Sequence, residues 1–311
     1  MEPVDWEAEP GFIRAQLPNG DEYCSGIQYD GRILPSFENG CVARLHEIRE
    51  KFESQEGDVL IYGYMKSGTH WLWEIIRMIL EEDSSVSEKG SKMDSFIECI
   101  SLEDIKAFSK PRILSSHLLP TGLPSELLKN SKVVVPIRHP KDTAVSLFCH
   151  LQAEKKGTEL RCDWNTFLRD VWFNKDLALY ATWTEFTSYV WNMCSVKDNF
   201  HPVIYEQLLE EPVEMIRDLA KFLGKDKLSD KLVQDIADAT RFGSMKTKKV
   251  CSEKPLEKTF YSGYSMFRKG IKGEWRDKFT QEQNVEFDKK MKEISSHDEN
   301  IHQVMMLYED N

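Results

Sequence analysis

The stretch that most limits the fold runs from Asp58 to Glu81. "DVLIYGY" (58–64) is a short apolar run with β-branched residues and reads as a buried parallel strand. It passes through "MKSGTHW" into a segment where Leu72, Ile75, Ile76, Ile79 and Leu80 share one helical stripe, with Glu74, Arg77 and Glu81 facing away. Strand, glycine loop and helix in this order aim backbone N–H groups and the positive helix end at one point, which makes an anion site. Ser67, Gly68, Thr69 and His70 are the expected donors, and Lys66 is the compact positive charge beside them.

Three further runs read as parallel strands: "PRILSS" (111–116), "KVVVPI" (132–137) and "PVIYE" (202–206). Helical patterns lie between them, and "EEPVEMIRDLAKFLG" has Pro212 in its first turn and Gly224 at its end, where helix termini favour each. The expectation is one α/β domain in three layers, with a central parallel β-sheet and a P-loop-like strand-loop-helix. Segments 81–95, 150–164 and 246–266 resist periodic reading, and their place among sheet elements favours lids over linkers.

Composition narrows the function. No apolar run approaches the roughly 20 residues that cross a bilayer, and "MEPVDWEAEPGF" lacks the apolar core of a signal peptide, so a soluble cytoplasmic protein is expected. Seven cysteines occur without a C-x-x-C pair, which suggests neither a zinc site nor a disulfide framework. A net charge of −11 argues against nucleic-acid and anionic-membrane partners, so any bound anion needs a local cationic cluster.

Gly63 and Gly68 are spaced as in G-x-x-x-x-G-K-[ST], but Thr69-His70 follows the second glycine and Lys66 lies between the two. The lysine and hydroxyl that serve triphosphate and magnesium are therefore absent, and the "KVVVPI" strand ends at Arg138 rather than at a carboxylate. An anion held without metal is expected. In "RHPKDTAVS", Pro140 stops the strand, Asp142 suits a helix N-cap, and the Arg138 guanidinium with the Ser146 hydroxyl suits a phosphate monoester. "FRKGIKGEW" (267–275) sets Arg268 and Lys269 beside Gly270, so that two cations and backbone can close on one phosphate.

Together "GYMKSGTHW", "RHPKDTAVS" and "RKGIKGEW" resemble, in order and separation, the motifs of the cytosolic sulfotransferases. The resemblance runs from about residue 30 to 290, leaving 1–29 as an extension and 291–311 as a tail of a single domain. It implies 3′-phosphoadenosine-5′-phosphosulfate (PAPS) as sulfuryl donor, PAP as product, and no metal. On this resemblance Lys66 and the amides through His70 hold the 5′-phosphosulfate, while Arg138, Ser146, Arg268, Lys269 and Gly270 hold the 3′-phosphate. Trp71 stacks on adenine, and Tyr205, Thr240, Arg241, Phe242 and Met245 match the remaining nucleotide contacts.

His117, in "SSHLLP", matches the family's general base in K-T-H-L-P, so the implied catalytic set is His117, Lys66 and Ser146, with Ser115 and His117 on the acceptor side. Ser115 replaces the motif lysine, as in the steroid-sulfating branch, which leaves Lys66 as the principal cation. Met65 and His70 replace the loop's proline and second threonine. The acceptor is an alcohol, phenol, steroid or amine. A homodimer is the family habit, but "RDKFTQEQNV" (276–285) departs from its dimer motif at Gln281 and Val285. The rival readings are a nucleotide-dependent kinase and a silent relative that binds nucleotide without turnover.

Overall fold

The computed structural model describes residues 10–35, 42–85, 92–154, 160–249, 261 and 268–308. Residues 86–91, 155–159, 250–260 and 262–267 lie outside these, and so does most of what the lid expectation concerned.

The chain opens with β1 (Phe12–Gln16), β2 (Glu22–Tyr29) and β3 (Arg32–Leu34), an antiparallel sheet. Its turns use Gly20 at φ 88° and Gly31 at φ 75°, a left-handed backbone that L side chains adopt rarely. The segment set apart from the sequence as an extension thus carries two strands, and its Tyr23, Cys24, Ile27 and Tyr29 are buried. The tail likewise packs inward through Met291, Ile301 and Val304.

The centre is β4 (Val59–Tyr62), β5 (Ile113–Ser116), β6 (Lys132–Ile137) and β7 (Phe200–Ile204), in the order β5-β4-β6-β7 and parallel throughout. Each expected run contributes a strand, but the fourth is shifted: Tyr205 and Glu206 of "PVIYE" open a helix, Tyr205–Glu210. Alternation along β4 divides the core: Val59 and Ile61 face one apolar layer, Leu60 and Tyr62 the other. Helices Thr69–Glu81, Pro212–Phe222 and Asp230–Ala239 fill the first layer with Ile75, Ile76, Ile216, Leu219, Val233 and Ile236. Helices Pro140–Ala153 and Trp183–Val196 fill the second with Leu147, Phe148, Phe186 and Val190. Three layers result, as the sequence implied.

Two local expectations are corrected. Glu74 and Arg77 do not face solvent: both are buried, and Arg77 Nη2 donates to Glu74 Oε1 at 2.7 Å. The chain after the helix folds back over them, with the Ser85 carbonyl on Arg77 and the Lys92–Ser95 turn against the helix. Asp142 is not the N-cap of its helix. His139 fills that place, its Nδ1 accepting from Lys141 N at 3.2 Å, while Asp142 accepts from Gly273 N at 2.6 Å and Trp275 N at 2.9 Å. Its carboxylate thereby ties the C-terminal glycine loop to the helix after β6.

Candidate functional site

All four parallel strands release site residues at their carboxyl ends: the Gly63–Gly68 loop after β4, His117 after β5, Arg138 after β6 and Tyr205 after β7. This is the crevice where open α/β sheets bind ligands. It forms a cavity of about 650 Å³.

One half of the cavity starts at the glycine loop. Lys66 has φ 64° and Gly68 φ 103°, so the chain turns tightly before the helix begins at Thr69. A Cβ on Gly68 would lie 2.8 Å from the Tyr205 ring, which makes glycine necessary for space as well as conformation. No side chain caps this helix start. Ser67 departs from its expected role as amide donor, because its N–H already bonds the Tyr64 carbonyl at 3.3 Å. Its buried Oγ, together with Arg138 Nε and Trp71 Nε1, has no hydrogen-bond partner. Unsatisfied buried groups cost about 1–3 kcal/mol each, so this wall fits a guest rich in acceptor oxygens.

Arg138 is held from two sides and a face: Nη1 donates to the Lys66 carbonyl at 3.1 Å, Nη2 to the Ile271 carbonyl at 3.4 Å, and its guanidinium lies 4.4 Å from the Tyr205 ring centre. Arg268 and Lys269 both pair with the buried Glu274, Lys269 at 2.9 Å. Although burial raises the Glu274 carboxyl, these two cations hold it below the usual range. Gly270, at φ 65°, packs so closely on Phe242 that a Cβ would meet the ring at 2.0 Å. Burial, with Arg138, Arg268 and Lys92 nearby, draws the Lys66 ammonium down to about 7. Like charges crowd at Lys66, and an anion bound there would favour its charged form.

The other half of the cavity centres on His117. Its Nδ1 lies 2.5 Å from the Gly63 carbonyl, its backbone N–H donates to Glu98 Oε1 at 2.7 Å, and Nε2 lies 3.0 Å from Lys92 Nζ. Burial first, then the Lys92 charge, keeps the imidazole neutral well below its ordinary range. Tyr180 closes over it edge-on at 5.7 Å, held at φ 62° with its hydroxyl buried and unpartnered. A non-glycine residue in that region is uncommon, and here it keeps an aromatic ring packed against the imidazole.

Of the residues singled out in the sequence, Lys66, Gly68, Thr69, His70, Trp71, His117, Arg138, Ser146, Tyr205, Thr240, Phe242, Met245, Arg268, Lys269 and Gly270 line this one cavity. Ser67 is buried and is not among the lining residues. Ser115 is fully buried, its hydroxyl donating to the Ser95 carbonyl at 3.4 Å, and it does not reach the cavity. Arg241 points to solvent and pairs with Asp238 at 2.8 Å. Sequence reasoning missed Lys92, Glu98, His150, Glu154 and Tyr180. His150 lies one helical turn past Ser146, a spacing that could have drawn notice. For Lys92, at the end of a polar stretch, no local signal existed.

Known proteins bear on this geometry. The family model for the sulfotransferase domain matches residues 56–304. Human (Homo sapiens) sulfotransferase 6B1 is 31% identical over 259 residues, covering 81% of each chain. Dog (Canis lupus familiaris) sulfotransferase 1A1 is 32% identical over 259 residues, covering 78% of this chain and 84% of its own. Among solved structures, mouse sulfotransferase SULT7A1 complexed with PAP superposes with a TM-score of 0.69 at 25% identity, covering 86% of this chain and 94% of that one. With a matched domain that spans the glycine loop, His117, Arg138 and the C-terminal glycine loop, this chain belongs to the sulfotransferase family.

Proposed function

We propose that this protein transfers the sulfuryl group of PAPS to a hydroxyl of a small molecule, with His117 as general base. The observation that carries the reading is the meeting, in one cavity, of a neutral His117 with a cation cluster around Lys66. The PAP bound by the mouse neighbour supports the choice of nucleotide.

PAPS supplies the sulfuryl group and a leaving nucleotide; the chain supplies position and charge. Lys66 and the backbone from Gly68 to His70 would hold the 5′-phosphosulfate, while Arg138, Ser146, Arg268, Lys269 and Gly270 would hold the 3′-phosphate. Trp71, Tyr205, Thr240, Phe242 and Met245 would enclose the adenine. Because Nδ1 faces a carbonyl, which only accepts, the ring proton sits there and Nε2 is the basic nitrogen. Nε2 takes the acceptor's proton as its oxygen bonds to sulfur, and Lys66 neutralises the charge left on the departing oxygen.

The test is mass spectrometry of alcohols, phenols, steroids and amines incubated with PAPS and a chelator. A sulfated product is expected. Nucleotide binding without product from any acceptor would make the chain a silent relative, and a requirement for ATP and metal would make it a kinase.

A further inference from the structure

The base is not free in this structure. The Nε2 lone pair that must receive the acceptor's proton already accepts from Lys92 Nζ at 3.0 Å. Lys92 reaches His117 from the Lys92–Ser95 turn, which is followed by a bridge between Phe96 and Ser115 of β5. It is 2% exposed, and its ammonium also lies 3.5 Å from the centre of the Phe96 ring. Glu98, the carboxylate that favours its charge, already accepts from His117 N–H and from Ser116 Oγ at 3.1 Å. Buried ammonium groups are rare unless paired, yet this one is aimed at a lone pair on the wall of the reaction cavity.

A lysine head carries three donors on a flexible stem. It can give up one nitrogen lone pair and turn the same N–H onto an oxygen that arrives between them. We infer that Lys92 is an acceptor-binding catalytic residue, donating to the acceptor oxygen as that oxygen's proton passes to His117. The inference rests on the sulfuryl-transfer reading. The acceptor O–H replaces Lys92 as donor to Nε2, its oxygen accepts from Lys92, and its other lone pair forms the bond to sulfur as the bond from sulfur to the nucleotide oxygen breaks. The negative charge that grows on the oxygen then rests against an ammonium in a buried site, where charge-assisted hydrogen bonds are strongest.

This selects the substrate class. An ammonium beside the reacting atom favours an acidic hydroxyl and repels a protonated amine. Met93, Phe96, Ile100 and Phe108, on the same cavity, offer apolar surface to a ring. Phenols are therefore the acceptors that fit, ahead of aliphatic alcohols and amines.

The test reads the bound phenol directly. 4-Nitrophenol, whose phenolate absorbs apart from the phenol, is titrated on the protein with and without saturating PAP. The titratable groups facing that spot include Lys66, His70, Asp94, Cys99, His117, His150, Glu154 and Tyr180 on the cavity, with Glu98 on the His117 N–H, and they are common to every variant. In the wild type the bound phenol ionises at lower pH than in water. Lys92→Met moves that midpoint up by about 1–2 pH units, the worth of one charge-assisted hydrogen bond, and lowers the rate of phenol sulfation about 10- to 100-fold. Lys92→Arg keeps most of the shift. An unchanged midpoint in Lys92→Met, or faster sulfation once the base is uncovered, overturns the inference. Should Lys92→Met not fold, Lys92→Gln reads the same midpoint with the same two outcomes. A wild type that shifts the phenol but transfers nothing refutes the proposed function, and with it the catalytic role of Lys92, leaving only a phenol-binding contact.

Discussion

Gly63→Ala is the substitution whose consequence the structure specifies most fully. Gly63 follows β4 and faces Pro136 of β6, and a Cβ there would lie 2.4 Å from Pro136 Cγ, 2.9 Å from Cδ and 3.3 Å from Thr69 Cγ2. Ordinary contact begins at 3.4 Å, so about 1 Å must be found between the two central strands. The proline ring cannot rotate away, and β6 is held on its far side by its ladder to β7. Overpacking of this kind costs about 1–3 kcal/mol, which corresponds to a fall in Tm of ~2–12 °C for a domain of this size. The functional cost is larger, because the Gly63 carbonyl holds His117 Nδ1 at 2.5 Å and the Lys66 loop starts at the next residues. A shift of ~1 Å in a reacting group costs about 10²-fold in rate. Steady-state kcat/KM and thermal unfolding, measured side by side, check both. Gly243→Ala is the control: nothing lies within 4 Å of its added Cβ, so in its helix it leaves Tm unchanged or raises it by a few degrees. Wild-type kcat/KM and Tm in Gly63→Ala would refute the claim that this contact sets the distance between donor loop and base.

Two further outcomes follow from the buried charges. In the free protein Lys66 loses its proton from about pH 7 upward, whereas a bound anion favours the charged form; PAP binding therefore takes up a proton and weakens as pH rises above about 7. Calorimetry in buffers of different ionisation enthalpy should detect that proton, and Lys66→Met should abolish both the uptake and the slope. Arg112 meets Asp58 through Nε at 2.8 Å and Nη2 at 2.6 Å with both side chains 1% exposed, so Arg112→Met strands a buried carboxylate and costs about 3–5 kcal/mol, measurable as a lower urea midpoint.

What the sequence made legible was whatever depends on neighbours along the chain. The four parallel strands and the helix after the glycine loop are continuous runs, and each formed at or near the place its pattern gave; the three segments expected to bind an anion are also continuous, and residues of all three line one cavity. The antiparallel sheet also left a trace, since Asn19-Gly20 and Asp30-Gly31 are hairpin turn pairs between short runs. Those strands carry enough polar residues to resemble an extension in sequence. Glu74 and Arg77 mark the limit of periodicity, which orients a helix face but not the chain that later folds over it. Lys92 marks a different limit. Its role depends on a turn 25 residues before His117 being pinned to β5, and nothing in "SEKGSKMDS" distinguishes a buried ammonium from a solvated one.

The central claim is that one cavity both holds the nucleotide and takes the acceptor's proton at His117 Nε2. Single-turnover transfer from PAPS by His117→Ala, with PAP affinity measured on the same preparation, separates the two. The account predicts PAP affinity close to wild type and transfer lowered by about 10² to 10⁴, the usual worth of a general base. Transfer at the wild-type rate would remove His117 from the reaction, and loss of PAP binding alongside transfer would mean that the imidazole holds the site together rather than moving a proton.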